Sequence, residues 1–475
     1  MMKIRNPYTG IYDYNLKTDT IVEIQDKSKE LRSNKKSWQN AGVTYRAQIL
    51  QKWKKSIEKY EEEIVLALSE DTGRNYISKY EVKGILGMID GWCYKAPLIM
   101  KDIDEKPSVF DPNVTIVEKR ISFDLVGVIG PWNFPITLSL IDAIPALMAG
   151  SAVLLKPSEV TPRYLDPLEK SIKEVPELDA VLKLVRGGAE VGKEVVNTSD
   201  AICFTGSVAT GEHIALACAK RLIPAFLELG GKDPAIVLED ADIEIATDAV
   251  LRSAVGATGQ ACQSLERIYV HKNIYSSFLE LLIKKAKEAT LNTGEKSKGQ
   301  IGPIIFEKQA TAIQEQINDA KSKEAVIHCG GKIENHNGGL WCRPTVLSNV
   351  NHGMKVMSEE TFGPLIPVMS FSTIEEAIEL ANDSEFGLSA SLFSSNTDAI
   401  NKISFEIEAG AISINDGSLT NKIYDAEKNA FKKSGLNGSR MGDAGLLRFF
   451  RKRTLLIQTG KPQSILDFEE IKLEK

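Results

Sequence analysis

The chain has 475 residues, 43% of them hydrophobic and 26% charged, and its 58 basic and 64 acidic side chains leave a formal net charge of −6. That length predicts two large domains or about three ordinary ones, and the composition excludes a disordered, collagen-like or coiled-coil chain. The charge balance makes no case for nucleic acid as a partner, because a phosphate backbone needs clustered positive charge.

The opening residues, Met-Met-Lys-Ile-Arg-Asn-Pro, lack the apolar core of a secretory signal. Residues 44–70 predict one long amphipathic helix, since Trp53, Ile57, Tyr60 and Ile64 fall on one face and the Lys/Glu run at 52–63 forms the solvated side. Gly73 is its stop signal. From about residue 124 short apolar runs alternate with helical stretches. Runs at 125–129, 152–155, 180–185, 201–204 and 225–229 each close on a Gly or Pro cluster, the pattern of parallel βαβ units in an α/β fold. The longest apolar stretch, 144–155, is far shorter than the ~20 residues that cross a bilayer, so no membrane span is expected. A second block follows, with strands expected at 235–238, 267–270, 325–328, 365–370 and 411–414 and helices near 241–256, 274–290, 305–322, 374–383 and 397–407. The change of domain is placed at Gly230–Gly231, and 454–458 reads as a last strand.

Six cysteines (93, 203, 218, 262, 329 and 342) form no Cys-x-x-Cys pair, and five histidines form no His-x-x-x-His. Neither a metal site nor a disulfide framework is expected, and a reducing, cytoplasmic setting follows. Gly187 to Lys193 fits the first part of a P-loop, but Glu194 stands where a magnesium-binding hydroxyl is required, so a strand-to-helix turn is the better reading. Gly-x-Gly-x-x-Gly is absent. Phe204-Thr-Gly206-Ser207 ends a strand and opens a helix, whose free N–H groups and dipole suit one phosphate. Lys156-Pro-Ser-Glu159 reads either as a grip on two ribose hydroxyls or as a helix cap. Cys262, in a loop of small residues, reads as a nucleophile or as a small buried hydrophobe. Glu228, at a strand end before two glycines, reads as a partly desolvated general base or as a solvated carboxylate. Asn133, flanked by prolines, reads as a rigid oxyanion donor or a turn residue, and Glu360 is equally ambiguous.

Taken together and in this order, Pro-Trp-Asn133-Phe-Pro, Lys156-Pro-Ser-Glu159, Phe204-Thr-Gly-Ser207, Leu-Glu228-Leu-Gly-Gly-Lys, Gly259-Gln-Ala-Cys262 and Glu360-Thr-Phe362-Gly-Pro closely resemble the NAD(P)-dependent aldehyde dehydrogenase superfamily. The resemblance implies that Cys262 is the nucleophile, that Asn133 and the Cys262 N–H hold an oxyanion, and that Glu228 activates water to hydrolyse a thioester. It implies that Lys156 and Glu159 hold the adenosine ribose, Ser207 the pyrophosphate and Glu360 the nicotinamide ribose, with Phe362 near the nicotinamide. Ile129, Pro131, Trp132, Gly188, Phe204, Gly206, Leu229 and Gly230 complete the implied dinucleotide site. A base at Glu228 predicts a free acid as product, not an acyl transfer. Glu159 favours NAD, with NADP possible because of Lys156. Non-catalytic dinucleotide binding is the rival of another class.

The implied fold is α/β, with two Rossmann-like domains and a small antiparallel arm. Residues 1–106 and 125–229, with about 434–452, form the nucleotide-binding domain, 230–433 the catalytic domain, and 107–124 with 453–475 the arm. Val114, Ile116, Val117, Ile121 and Phe123 give the arm an apolar edge that predicts a homodimer or homotetramer. Phe134, Leu138, Ile141 and Gln263 are the expected substrate contacts. No arginine lies between Asn133 and Lys156, which points toward an apolar or aromatic aldehyde, with a succinate-semialdehyde type as the alternative. Residues 427–441 depart from the family pattern at the substrate entrance.

Overall fold

The computed structural model describes residues 1–101 and 104–468. Residues 102–103 of the expected first domain and 469–475 of the expected arm lie outside the described residues.

The expected single helix over 44–70 is two helices, Gly42–Lys59 and Glu61–Thr72. At Tyr60 the backbone leaves helical geometry (φ −99°, ψ 10°), and Glu61, Glu62 and Glu63 occupy the first turn of the second helix. Negative charge is favoured at a helix N-terminus and disfavoured in its interior run, so this acidic triplet starts a helix instead of continuing one. Trp53, Ile57 and Ile64 are fully buried as the periodicity requires. Gly73 ends the second helix at φ +67°. Two helices with weak apolar periodicity, Ile21–Asn40 and Asn75–Ile99, complete this layer.

The first sheet has six strands in the order Gly435–Leu436, Ala225–Glu228, Ala201–Thr205, Leu125–Ile129, Ala152–Lys156 and Leu182–Leu184. All neighbours are parallel except the Gly435–Leu436 edge. Leu125–Ile129 lies where the strand order reverses, and a crevice opens beyond the C-terminal ends of parallel strands at such a point. That edge carries residues 130–133, 156–159 and 206–207. The expected strand at 180–185 is shortened, because Pro176–Asp179 forms a helical turn that runs up to it.

The second sheet has seven strands in the order Val326–Ile327, Thr345–Ser348, Leu365–Phe371, Leu265–His271, Asp233–Val237, Ala390–Phe393 and Ile412–Ile414. Thr345–Ser348 and Ala390–Phe393 escape a reading of the sequence. Each is only four residues long, and Ala390–Phe393 begins with two small residues beside Gly387, Leu388 and Ser389. Both are nevertheless fully buried inside the sheet.

Residues 229–232 join the two sheets directly. Strand Ala225–Glu228 ends the first sheet's site edge, and Asp233–Val237 begins at the opposite edge of the second. The C-terminal edge of one sheet therefore meets the N-terminal edge of the other across a four-residue crossover. A third, three-stranded antiparallel sheet pairs Val114–Ser122 with Lys106–Pro107 and Phe450–Gln458. The last strand starts at 450, a few residues before the expected arm boundary. It presents Leu455, Leu456 and Ile457 at 44%, 69% and 45% exposure. No helix among the described residues is long and apolar enough to cross a membrane.

Candidate active site

The crossover brings the expected catalytic groups together, and its glycines make this possible. A Cβ at Gly230 would lie 2.6 Å from Glu360 Oε2, and one at Gly231 would lie 2.3 Å from the Cys262 carbonyl oxygen. Any side chain at either position would push the Glu360 or Cys262 loop away. Glu228 stands at the end of its strand, half-buried. Arg440 Nε lies 3.9 Å from Glu228 Oε1, and this guanidinium is aimed by bonds to Asp142 Oδ2 (2.8 Å) and Thr205 Oγ1 (2.6 Å). Asp142 also receives Arg448, so one buried carboxylate anchors two cations behind the site.

The loop before Cys262 is held in an unusual shape. Ala257, Thr258 and Gly259 are all left-handed, at φ 54°, 63° and 69°. Two of them carry a Cβ, and such backbone persists only where the surroundings over-determine it. Here Thr258 Oγ1 donates to the Gly302 carbonyl at 3.0 Å, and Arg74 donates to the Ala257 carbonyl at 3.3 Å. Gln260 Nε2 donates to Ala257 and Pro303 carbonyls at 3.2 and 3.1 Å, and its Oε1 accepts Ile305 N–H at 2.9 Å. Gly259 has a second reason to lack a side chain: a Cβ would lie 2.3 Å from the Gly363 oxygen.

Asn133 is buried and is fixed to the same loop. Its Nδ2 donates to the Gln260 carbonyl at 3.0 Å, and its own carbonyl accepts Arg74. An amide has two N–H donors, so the bond to Gln260 orients the group and leaves the second for a ligand.

Burial pushes the Cys262 thiol up to about 12. Lys428 pulls it down, whereas Glu228, Asp233 and Glu360 push it further up. The field at the sulfur thus registers four titratable groups from three separate segments.

Beyond the first sheet, helix Val208–Arg221 starts at Ser207, whose Oγ accepts Thr210 N–H at 3.4 Å. Fourteen residues of helix place a positive dipole end and free N–H groups at the crevice, a setting for a phosphate. Gly206 leaves room for the Phe204 ring, and Gly211 for Leu229. Lys156 Nζ donates to Glu159 Oε2 at 3.0 Å. Gly188 faces Glu159 and Gly192 faces the Lys156 stem. Ile129 ends the neighbouring strand, and Pro131 and Trp132 follow it. Trp132 meets Phe362 edge-on at 5.3 Å.

A buried clamp holds the Glu360 loop. Glu266 accepts Lys232 Nζ (2.8 Å), Thr361 N–H (2.7 Å) and Phe362 N–H (2.8 Å). Lys232 also reaches Thr361 Oγ1 at 2.8 Å. Glu360 Oε1 accepts Gly231 N–H at 3.0 Å, and burial pushes its carboxyl up to about 8.

Of the expected substrate contacts, Phe134, Leu138 and Ile141 lie on or just before helix Pro135–Ala149, with the Arg74 guanidinium 5.3 Å from the Phe134 ring. Gln263 is turned inward, accepting Ser418 Oγ at its carbonyl (2.7 Å) and Thr420 at its side chain. Sequence reasoning missed Arg74, Asp142, Lys232, Glu266, Lys428 and Arg440. Lys428 and Arg440 fall within the segment 427–441 that departs from the family pattern, which was the one available signal for them.

With its pKa near 12, the free protein holds Cys262 as a neutral thiol at pH 7, and each rise in pH increases the thiolate fraction. Alkylation of Cys262 by iodoacetamide is expected to accelerate by about tenfold per pH unit between roughly pH 7 and 10 with no plateau. Peptide mapping against time checks this, and a plateau near pH 8 would contradict it.

The model of the family described as "Aldehyde dehydrogenase family" matches residues 1–455. A Mycolicibacterium smegmatis protein named as an NADP(+) succinate-semialdehyde dehydrogenase is 30% identical over 456 residues, 95% of this chain and 88% of its own. The solved structure of the aldehyde dehydrogenase PutA from Anabaena variabilis is 49% identical, with a TM-score of 0.96 over 98% of this chain and 100% of its own. Betaine aldehyde dehydrogenase from Staphylococcus aureus, solved with NAD+, is 28% identical, with a TM-score of 0.92 over 99% of this chain and 93% of its own. The chain belongs to the aldehyde dehydrogenase family.

Proposed function

We propose that this protein oxidises an aldehyde to the free carboxylic acid with NAD(P)+ as acceptor. The observation that carries the reading is the convergence of Glu228, Asn133 and Cys262 around the Gly230–Gly231 crossover. The Cys262 thiol gives up its proton to solvent as its sulfur bonds to the aldehyde carbon, and the carbonyl oxygen becomes the alkoxide of a thiohemiacetal. The Asn133 amide and the Cys262 N–H hold that alkoxide, since fixed donors cost no reorganisation when charge appears. Bound NAD(P)+ supplies the two-electron acceptor for the hydrogen on that carbon, which leaves as hydride. Glu228 then takes a proton from water as its oxygen attacks the Cys262 thioester. The carbon–sulfur bond breaks, and the acid departs.

The residues present fit a dinucleotide. The helix start at Ser207 suits the pyrophosphate, Lys156 and Glu159 the adenosine ribose, and Glu360 the nicotinamide ribose, with Gly188, Gly206, Leu229, Gly230 and Phe362 around them. The Glu159 carboxylate favours a 2′-hydroxyl over a 2′-phosphate, which supports NAD as the preferred form. A nucleotide-binding domain (1–106, 125–229 and about 434–452), a catalytic domain (230–433) and an arm (107–124 and 453–475) are our division of the chain. The exposed apolar edge at 455–457 supports a homodimer or homotetramer closed through that arm. A thiol that must stay reduced suits the cytoplasm.

Cys262→Ala is expected to lower aldehyde-dependent NADH formation by at least about 10³-fold. Glu228→Gln is expected to keep a burst of one NADH per site and lose about 10²–10⁴-fold in steady-state turnover. Stopped-flow absorbance and analysis of the acid product check both, and an unaltered steady state in Glu228→Gln would overturn the hydrolytic role.

Glu159→Gln is expected to raise the NADP-to-NAD ratio of kcat/KM by about tenfold. Wild-type protein that already prefers NADP would contradict the cofactor assignment. Leu456→Asp is expected to convert the oligomer to monomer in light scattering, and a wild-type monomer would remove the role given to the arm.

A further inference from the structure

Residues 421–427 and 429 are all exposed, yet Lys428 between them is buried, at 7% exposure. A polar surface segment that turns a single residue inward usually turns an apolar one, because burying an ammonium is costly unless it is paired. Lys428 Nζ has no hydrogen-bond partner among the described residues. Its backbone is pinned: Lys428 N–H donates to Ser439 Oγ at 3.1 Å, next to the Arg440 that faces Glu228. The Lys428 side chain is electrically coupled to both Cys262 and Asp233.

The carboxylates around the sulfur are already engaged. Asp233 accepts the N–H and hydroxyl of Ser389, Glu360 accepts Gly231 N–H, and Glu228 faces Arg440. Lys428 Nζ makes no hydrogen bond to any of them, and its charge reaches Cys262 and Asp233 only through the field. Its field reaches Cys262, so the molecule that reacts there is the ligand placed to complete its hydrogen bonds.

We propose that Lys428 recognises an anionic group on the aldehyde, a carboxylate or a phosphate a few atoms from the carbonyl. This rests on the aldehyde-oxidation reading above and names the substrate class for that site. The expectation of an apolar substrate considered only the stretch from Asn133 to Lys156; Lys428 lies outside it, in the segment 427–441.

The test compares kcat/KM for succinate semialdehyde, glyceraldehyde 3-phosphate and the neutral aldehyde pentanal in wild type, Lys428→Met and Lys428→Arg. Wild type is expected to prefer one of the anionic aldehydes. Lys428→Met is expected to lower kcat/KM for that substrate relative to pentanal on the order of 10–100-fold, mainly through KM, whatever loss the two share through the thiol. Lys428→Arg is expected to recover part of the loss. Succinate or inorganic phosphate should compete with pentanal in wild type, a readout that does not depend on any variant folding. Equal losses on charged and neutral aldehydes would show that Lys428 serves the thiol and would overturn the proposal. So would a wild-type preference for pentanal, which leaves aldehyde oxidation standing. Absence of turnover with every aldehyde would instead sink the underlying reading.

Discussion

The ion pair between Lys232 and Glu266, both side chains at most 2% exposed, is the constraint on which the site depends. Lys232 closes the crossover between the sheets, and Glu266 lies on the strand that follows the Cys262 loop. The same carboxylate accepts two successive N–H groups of the Glu360 loop. One buried charge pair therefore ties together the segments bearing Glu228, Cys262 and Glu360. Desolvating two charges is expensive, and such a pair contributes little net stability compared with apolar residues of the same volume. What it confers is register, because removing one partner leaves the other charge buried and unsatisfied.

A second level of control is electrostatic. Burial first, and the neighbouring carboxyl groups after it, raise the pKa of the nucleophile, while Lys428 lowers it. Behind the base, Asp142 takes both Arg440 and Arg448, and this fixes the guanidinium beside Glu228 without using Glu228 itself as the anchor. The orientation of the base is thereby separated from the charge that it must be free to change.

The parts of this arrangement that the sequence disclosed are those set by local chemistry. Runs such as Leu125–Ile129 and Ala201–Thr205 end at Gly or Pro turns, and those turns carry the groups at the crevice. Asn133, Glu228 and Cys262 stand out because each sits among small or rigid neighbours. The break at Tyr60 depends on an acidic triplet whose helix-starting effect competes with an unbroken apolar face. Ala390–Phe393 is a strand because the strands on either side demand one. Lys428 and Arg440 are single charges in polar loops, and only the tertiary contacts decide that they point inward. Lys232 and Glu266 lie in unrelated segments, and nothing local announces that they meet.

The four-residue link between the sheets has a mechanical implication. It has no slack: its glycines are already in contact with Glu360 and with the Cys262 backbone, and its lysine is clamped. A hinge placed there would shear base from nucleophile whenever the crevice widened to exchange its ligands. Exchange of ligands has to leave residues 229–232 in place for the reacting geometry to be preserved from one turnover to the next.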